Sequence, residues 1–287
     1  MRQELKRAIL NPYFILICLY GIVIALLHCG QKAFEYSTFI SAVREYGTVE
    51  NVKVNPCTPV YNAFTSWIGC DSSSKYSKLL FFIFPLLAAL PYSWSYCYNY
   101  KKEKNKNECY IPNSHQYLAV FISSGLTLAI PLLINFLSIL LFIPVIFPDS
   151  IYDIYYGFFS NEFMSYIFYV NPYLYILIFI ILCFVFSGLL GCLGFSFSTL
   201  IRSRILAIAS PFIVTIATEY IKRYIGEKND VTITEFSPMS FLFPAKSHNA
   251  SWLIIISEMI TLFIITYVLA VLRFKFKKDS KDREVKA

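Results

Sequence analysis

Residues 173–200 read YLYILIFIILCFVFSGLLGCLGFSFSTL, an unbroken stretch without an acidic or basic side chain. About 20 apolar residues in a helix cross a hydrocarbon core of about 30 Å, so this run is long enough to span a bilayer. The rest of the chain shares its character. Of 287 residues, 57% are hydrophobic and 15% charged, and the mean hydropathy is +0.56, whereas soluble domains carry about 25% charge. A soluble globular domain is excluded, and the reading is an all-α integral membrane protein.

Outward from that stretch, apolar runs predict five more spans, at about 13–29, 79–98, 117–146, 205–221 and 252–272. Six transmembrane helices then form a single transmembrane domain over 1–287. Ahead of the first span, MRQELKRAIL sets Met1, Leu5, Ala8 and Ile9 at helical spacing, with Arg2, Lys6 and Arg7 on the remaining surface. That pattern predicts an amphipathic interfacial helix over 1–11, lying on the lipid bilayer. No small-residue cleavage site follows, which argues against a removed signal peptide. Pro131 and Pro144 predict kinks in the third span, which should therefore face protein more than lipid. Ser187, Gly188, Gly191 and Gly194 predict a close helix approach on the fourth.

Charge sets the orientation. No Lys or Arg occurs between Asn107 and Ile201. If both termini share a side, that side collects 16 cations and 6 acids, and the opposite side 9 cations and 11 acids. The cation-rich connections are short: the loop 99–116 with Lys101, Lys102, Lys104 and Lys106, the IRSR turn, and the basic tail 273–287. The positive-inside rule makes that side cytoplasmic, so both termini are cytoplasmic and the long loop 30–78 is outer. The expected location is the cell membrane, as a multi-pass protein.

Catalytic equipment is sparse. There is no HExxH pair, no GxSxG elbow and no GxxxxGK[ST] phosphate loop, so the chain is not read as an enzyme and no catalytic, metal or cofactor residues are assigned. No nucleic acid partner is expected. Glu219 lies near the outer end of the fifth span, beside Lys222 and Arg223, and is read as interfacial; that leaves Glu258 as the one intramembrane charge, placed to face an aqueous cavity, a substrate path or a partner helix, or else to reach interfacial water. Cys57 and Cys70 enclose twelve residues of the outer loop; a disulfide there would contribute about 3 kcal/mol, and two free thiols are the alternative. The stretch CYIPNSHQ after the basic patch puts Tyr110 and Ile111 in a cytoplasmic loop that has no need of apolar groups. Such a loop can insert into a groove on a cytoplasmic partner.

The layout resembles the permease subunits of type-2 ABC exporters. The likeness rests on YIPNSHQYLAVFISS, similar to the coupling loop leading into the third span, on LLGCLGFSFSTLIRSRILAIASPFIV, similar to the fourth span, basic turn and fifth span, and on FSPMSFLFP before the last span. The resemblance implies a separate ATPase subunit, carrying the ATP and Mg, docked beneath the permease. Lys102, Lys104, Tyr110, Ile111 and His115 would form the coupling element. A second permease subunit, the same or a different chain, would complete the path for an exported peptide or hydrophobic compound. A secondary carrier or channel, and a non-transporting sensor or immunity protein, are the competing readings.

Overall fold

The structure is a computed structural model that describes residues 2–46, 61–104, 114–148, 151, 162–201, 203–229, 237–238, 242 and 251–272. Among these residues the regular secondary structure is helical, with no strand. The helices are α1 (Arg2–Ile9), α2 (Pro12–Tyr46), α3 (Lys75–Ala89), α4 (Ser95–Lys104), α5 (Ser114–Ile139), α6 (Ser165–Val170), α7 (Pro172–Ile201), α8 (Arg204–Asn229) and α9 (Trp252–Tyr267). A π turn, Val268–Leu272, extends α9. Five of them, α2, α5, α7, α8 and α9, are long and apolar enough to cross a membrane.

Two predicted boundaries differ from the observed ones for physical reasons. The helix begun at Pro12 does not stop at Cys29 but continues to Tyr46. Hydropathy ends near Cys29, whereas helix propensity does not: Gln31, Lys32, Ala33 and Glu35 favour helix, and both Gln31 and Lys32 donate hydrogen bonds to Glu35 one turn on. The predicted span 79–98 is broken into α3 and α4. Pro91 lacks an N–H and its ring clashes with the preceding turn, so residues 90–94 form turns that Trp94 Nε1 and Asn11 Nδ2 close onto the Leu90 and Pro91 carbonyls. The third run ends as helix at Ile139, short of the predicted 146.

The longest apolar stretch becomes the centre of the bundle. Helix α7 packs against α3, α5, α6, α8 and α9, and its glycines permit close backbone approaches to α5 and to α8, where a Cβ on Gly194 would overlap the Ala207 carbonyl oxygen. A Cβ on Gly188 would lie 2.9 Å from the Phe121 carbonyl oxygen, and one on Gly125 of α5 would lie 2.8 Å from the Phe184 carbonyl oxygen. The two glycines let the α5 and α7 backbones cross closely, with the rings of Phe121 and Phe184 lying against them. Ser187 Oγ and Thr127 Oγ1 each donate to the Ser124 carbonyl in the same seam, which satisfies these two hydroxyls internally as an apolar surround favours.

The bundle has two ends. At the basal end lie α1, the break between α3 and α4, the start of α5, the turn from α7 to α8 and the π turn. At the distal end lie the upper half of α2, residues 61–74, the end of α5, α6 and the start of α9. An aromatic and aliphatic core joins them, with Trp67, Phe64, Phe84, Tyr175, Phe179 and Phe186 all at most 1% exposed.

Candidate functional site

At the distal end, residues 61–74 fold inward and cap the bundle, although the sequence places them in a solvated loop. Trp67 is fully buried and its Nε1 donates to the Leu132 carbonyl at 3.0 Å. Asn62 Nδ2 donates to the Ile146 carbonyl at 2.6 Å, and the Ala63 N–H reaches the Pro144 carbonyl at 2.9 Å. Phe64 packs edge-on against Tyr173. This segment closes over the core as a plug.

A polar network fastens the plug to α2 and α5. Asp71 Oδ2 lies 2.8 Å from Lys32 Nζ and 3.2 Å from His28 Nε2, while Oδ1 accepts the backbone N–H groups of Ser73 and Ser74 and the Ser73 hydroxyl. Lys32 also reaches Glu35 Oε2 at 2.8 Å. Asn135 on α5 joins all three elements: its Oδ1 accepts the Ile68 N–H at 3.0 Å, and its Nδ2 donates to the Ala25 carbonyl at 2.7 Å and faces His28 Nδ1 at 3.1 Å. With its oxygen occupied by Ile68, the amide must present its nitrogen to the imidazole. His28 Nδ1 is therefore an acceptor, Nε2 carries the proton, and neutral His28 donates to Asp71.

The electrostatics follow from the partners. Burial alone would push the Asp71 carboxyl up, but hydrogen bonds from His28 and Lys32, the lysine charge and Ser73 together hold it well below the usual carboxylate range. His28, Lys32 and Asp71 are 0%, 7% and 8% exposed, so this is a buried charge pair with its hydrogen bonds satisfied, the condition under which such a pair is tolerated. Burial pushes the neighbouring Cys70 thiol up, which leaves it unreactive.

The basal end joins the elements nearest the predicted cytoplasmic loops. Helix α1 lies against protein, with Ala8 buried in a cluster containing Tyr92, Tyr96, Tyr117 and Phe195. Tyr92 Oη donates to Glu4 Oε2 at 2.8 Å, and Arg7 Nη1 to Glu4 Oε1 at 2.8 Å. The guanidinium of Arg204, at the start of α8, stands over the rings of Trp94 and Tyr98 at 5.5 and 5.8 Å, and Trp94 packs edge-on with Tyr13 of α2. Gln116 of α5 donates to Ser95 Oγ of α4 at 2.9 Å. These contacts tie α1, α4 and the break before α4 to α2, α5 and α8.

Of the coupling residues, Lys102 and Lys104 lie in the last turns of α4, His115 is exposed in the first turn of α5, and Tyr110 and Ile111 fall outside the described residues. Cys57 also falls outside them. Cys70 is a free buried thiol, so a bridge would require Cys57 to enter the aromatic core. Glu258 stands half-buried on α9, its Oε2 inaccessible and without a hydrogen-bond partner. Among the described residues no three His, Cys, Asp or Glu side chains converge as a metal ion would need.

Sequence reasoning missed the Lys32–Asp71–Asn135 cluster. The legible signal is that His28, Lys32 and Glu35 continue the helical stripe of α2. Comparisons with protein families, curated proteins and solved structures return no match for this chain.

Proposed function

We propose that the chain is the membrane-spanning permease subunit of a type-2 ABC exporter. On this reading the five long helices and the broken α3–α4 segment are six spans, the basal end is cytoplasmic, and the protein lies in the cell membrane. A separate ATPase would bind the basal end through α1 and the connection from α4 to α5. A second permease copy, or a different permease chain, would complete the path for a peptide or hydrophobic compound.

The observation that supports this most is the mechanical continuity of the basal end. Tyr92 sits in the break between α3 and α4 and holds Glu4 of α1, while Trp94 in the same break stacks with Arg204 of α8. Elements contacted from below are thus bonded to three of the spanning helices, which is what converting a cytoplasmic stroke into a helix rearrangement requires.

The test is isolation of the tagged full-length chain from its own membranes, followed by identification of co-purifying proteins and assay in proteoliposomes. A phosphate-loop ATPase should accompany the chain and confer ATP-dependent transport. Tyr110→Asp with Ile111→Asp should abolish co-purification while leaving the permease folded. Absence of any such ATPase, or retention of it by the double variant, would count against the reading or against the assigned contact, respectively.

A further inference from the structure

The acids Asp71 and Glu258 keep different company. Asp71 has Lys32, His28 and the Ser73–Ser74 donors. Glu258 has no donor on its buried Oε2, and α9, which carries it, is the least covered of the five long helices, with 17% of its apolar window buried.

The surroundings of Glu258 follow from the register of α9 against α7. Ser196 Oγ donates to the Thr266 carbonyl and Thr199 Oγ1 to the Leu269 carbonyl, each pair 70 residues apart, so the two helices run parallel and Glu258 stands level with Gly188. Titratable groups on α7 are Tyr173, Tyr175, Cys183 and Cys192, and on α5 His115 and Tyr117. The latter two lie at the basal end, where Tyr117 Oη bonds Thr266 Oγ1. At the distal end Glu162 precedes Phe163, whose ring packs on Trp252. Neither α5, α6, α7 nor α9 contains a Lys or Arg at any position. Of the cations of α8, Arg204 begins the helix at the basal end, while Lys222, Arg223 and Lys228 lie in its last turns, where Arg223 pairs with Glu219; that helix packs on α3 and α7.

Depth removes the remaining source of solvation. Glu258 is six residues from Trp252, about 9 Å along the helix at 1.5 Å per residue, and its Oε2 is closed off from solvent. An ionised carboxylate in that position lacks both water and a counter-charge, and the inexpensive remedy is a proton. We propose that Glu258 is a proton-binding site within the membrane, held as the neutral acid at the α7–α9 seam. Among the described residues no three His, Cys, Asp or Glu side chains converge around it. It stands on this seam alone and is independent of the transport reading.

A membrane-embedded carboxylic acid has a diagnostic reaction with an apolar carbodiimide. The acid proton passes to a carbodiimide nitrogen, and the carboxylate oxygen bonds the central carbon. The resulting O-acylisourea rearranges to a stable N-acylurea with no atoms lost. The full-length chain in lipid nanodiscs, treated with dicyclohexylcarbodiimide and mapped by peptide mass spectrometry, should carry the adduct on Glu258, with the yield falling as pH is raised. Glu258→Gln should remove it without altering the elution of the folded chain. If that variant fails to fold, the mapped adduct on the natural chain still decides the matter. No adduct on Glu258 at any pH where the chain stays folded, a yield independent of pH, or an adduct that forms only after denaturation would overturn the proposal, the last by revealing a counter-cation in the assembled protein. ATPase co-purification is unaffected by any of these outcomes, so the two proposals fail separately.

Discussion

Replacing Lys32 by methionine would leave Asp71 buried with a neutral imidazole as its main side-chain partner. Removing one member of a buried pair costs about 3–5 kcal/mol because the other charge is stranded, so Lys32→Met should lower the unfolding free energy in detergent by that order. Asp71→Asn should cost less, because Lys32 keeps its ion pair with Glu35. The natural chain should resist mild acid at this point. Because the folded carboxyl titrates below its unfolded value of about 3.9, Asp71 contributes in full above that pH and loses its contribution only as pH falls through the lower, folded value. A thermal-melt series that showed Lys32→Met unchanged in stability would refute the clamp. None of this was readable from residue types, since Asp71 and His28 are 43 positions apart and the plug that unites them lies in a stretch of loop composition. Glu258, by contrast, was legible as a singular residue because its surroundings are uniformly apolar.

At the level of helices, periodicity and small-residue content carried much of the information. The stretch 187–194 predicted a close approach, and α7 uses Gly188 in that way against α5. Gly125→Ala should force the crossing open, since the new Cβ would meet the Phe184 carbonyl oxygen at 2.8 Å. Overpacking of this kind costs about 1–3 kcal/mol, measurable as a fall in detergent melting temperature, whereas Gly30→Ala, with open space around its Cβ position, should leave stability unchanged or raised. Hydropathy misplaced the boundaries where it parts from helix propensity. Helix α2 outruns its apolar segment, and the predicted second span conceals the break at Pro91. The basic N-terminal helix was recognised by its pattern, but its docking on Tyr92 and Tyr96 depends on residues more than 80 positions away.

For the whole molecule, the unequal sharing of charge between the two ends supports the orientation. Thr38 on the distal half of α2 and Lys101 on α4 are both exposed, and the described cysteines are all buried. With Cys57 and Cys109 replaced by serine, Thr38→Cys should react with a membrane-impermeant maleimide on intact cells, and Lys101→Cys after permeabilisation alone. The reverse pattern would invert the topology. The three tryptophans of the chain also fall in three different places. Trp67 is sealed in the distal plug, Trp94 stacks beneath Arg204 at the basal end, and Trp252, 40% exposed, opens α9. The protein thus carries native fluorophores at both ends of the bundle, and chains retaining one tryptophan each would report those ends as separate optical signals without any added dye.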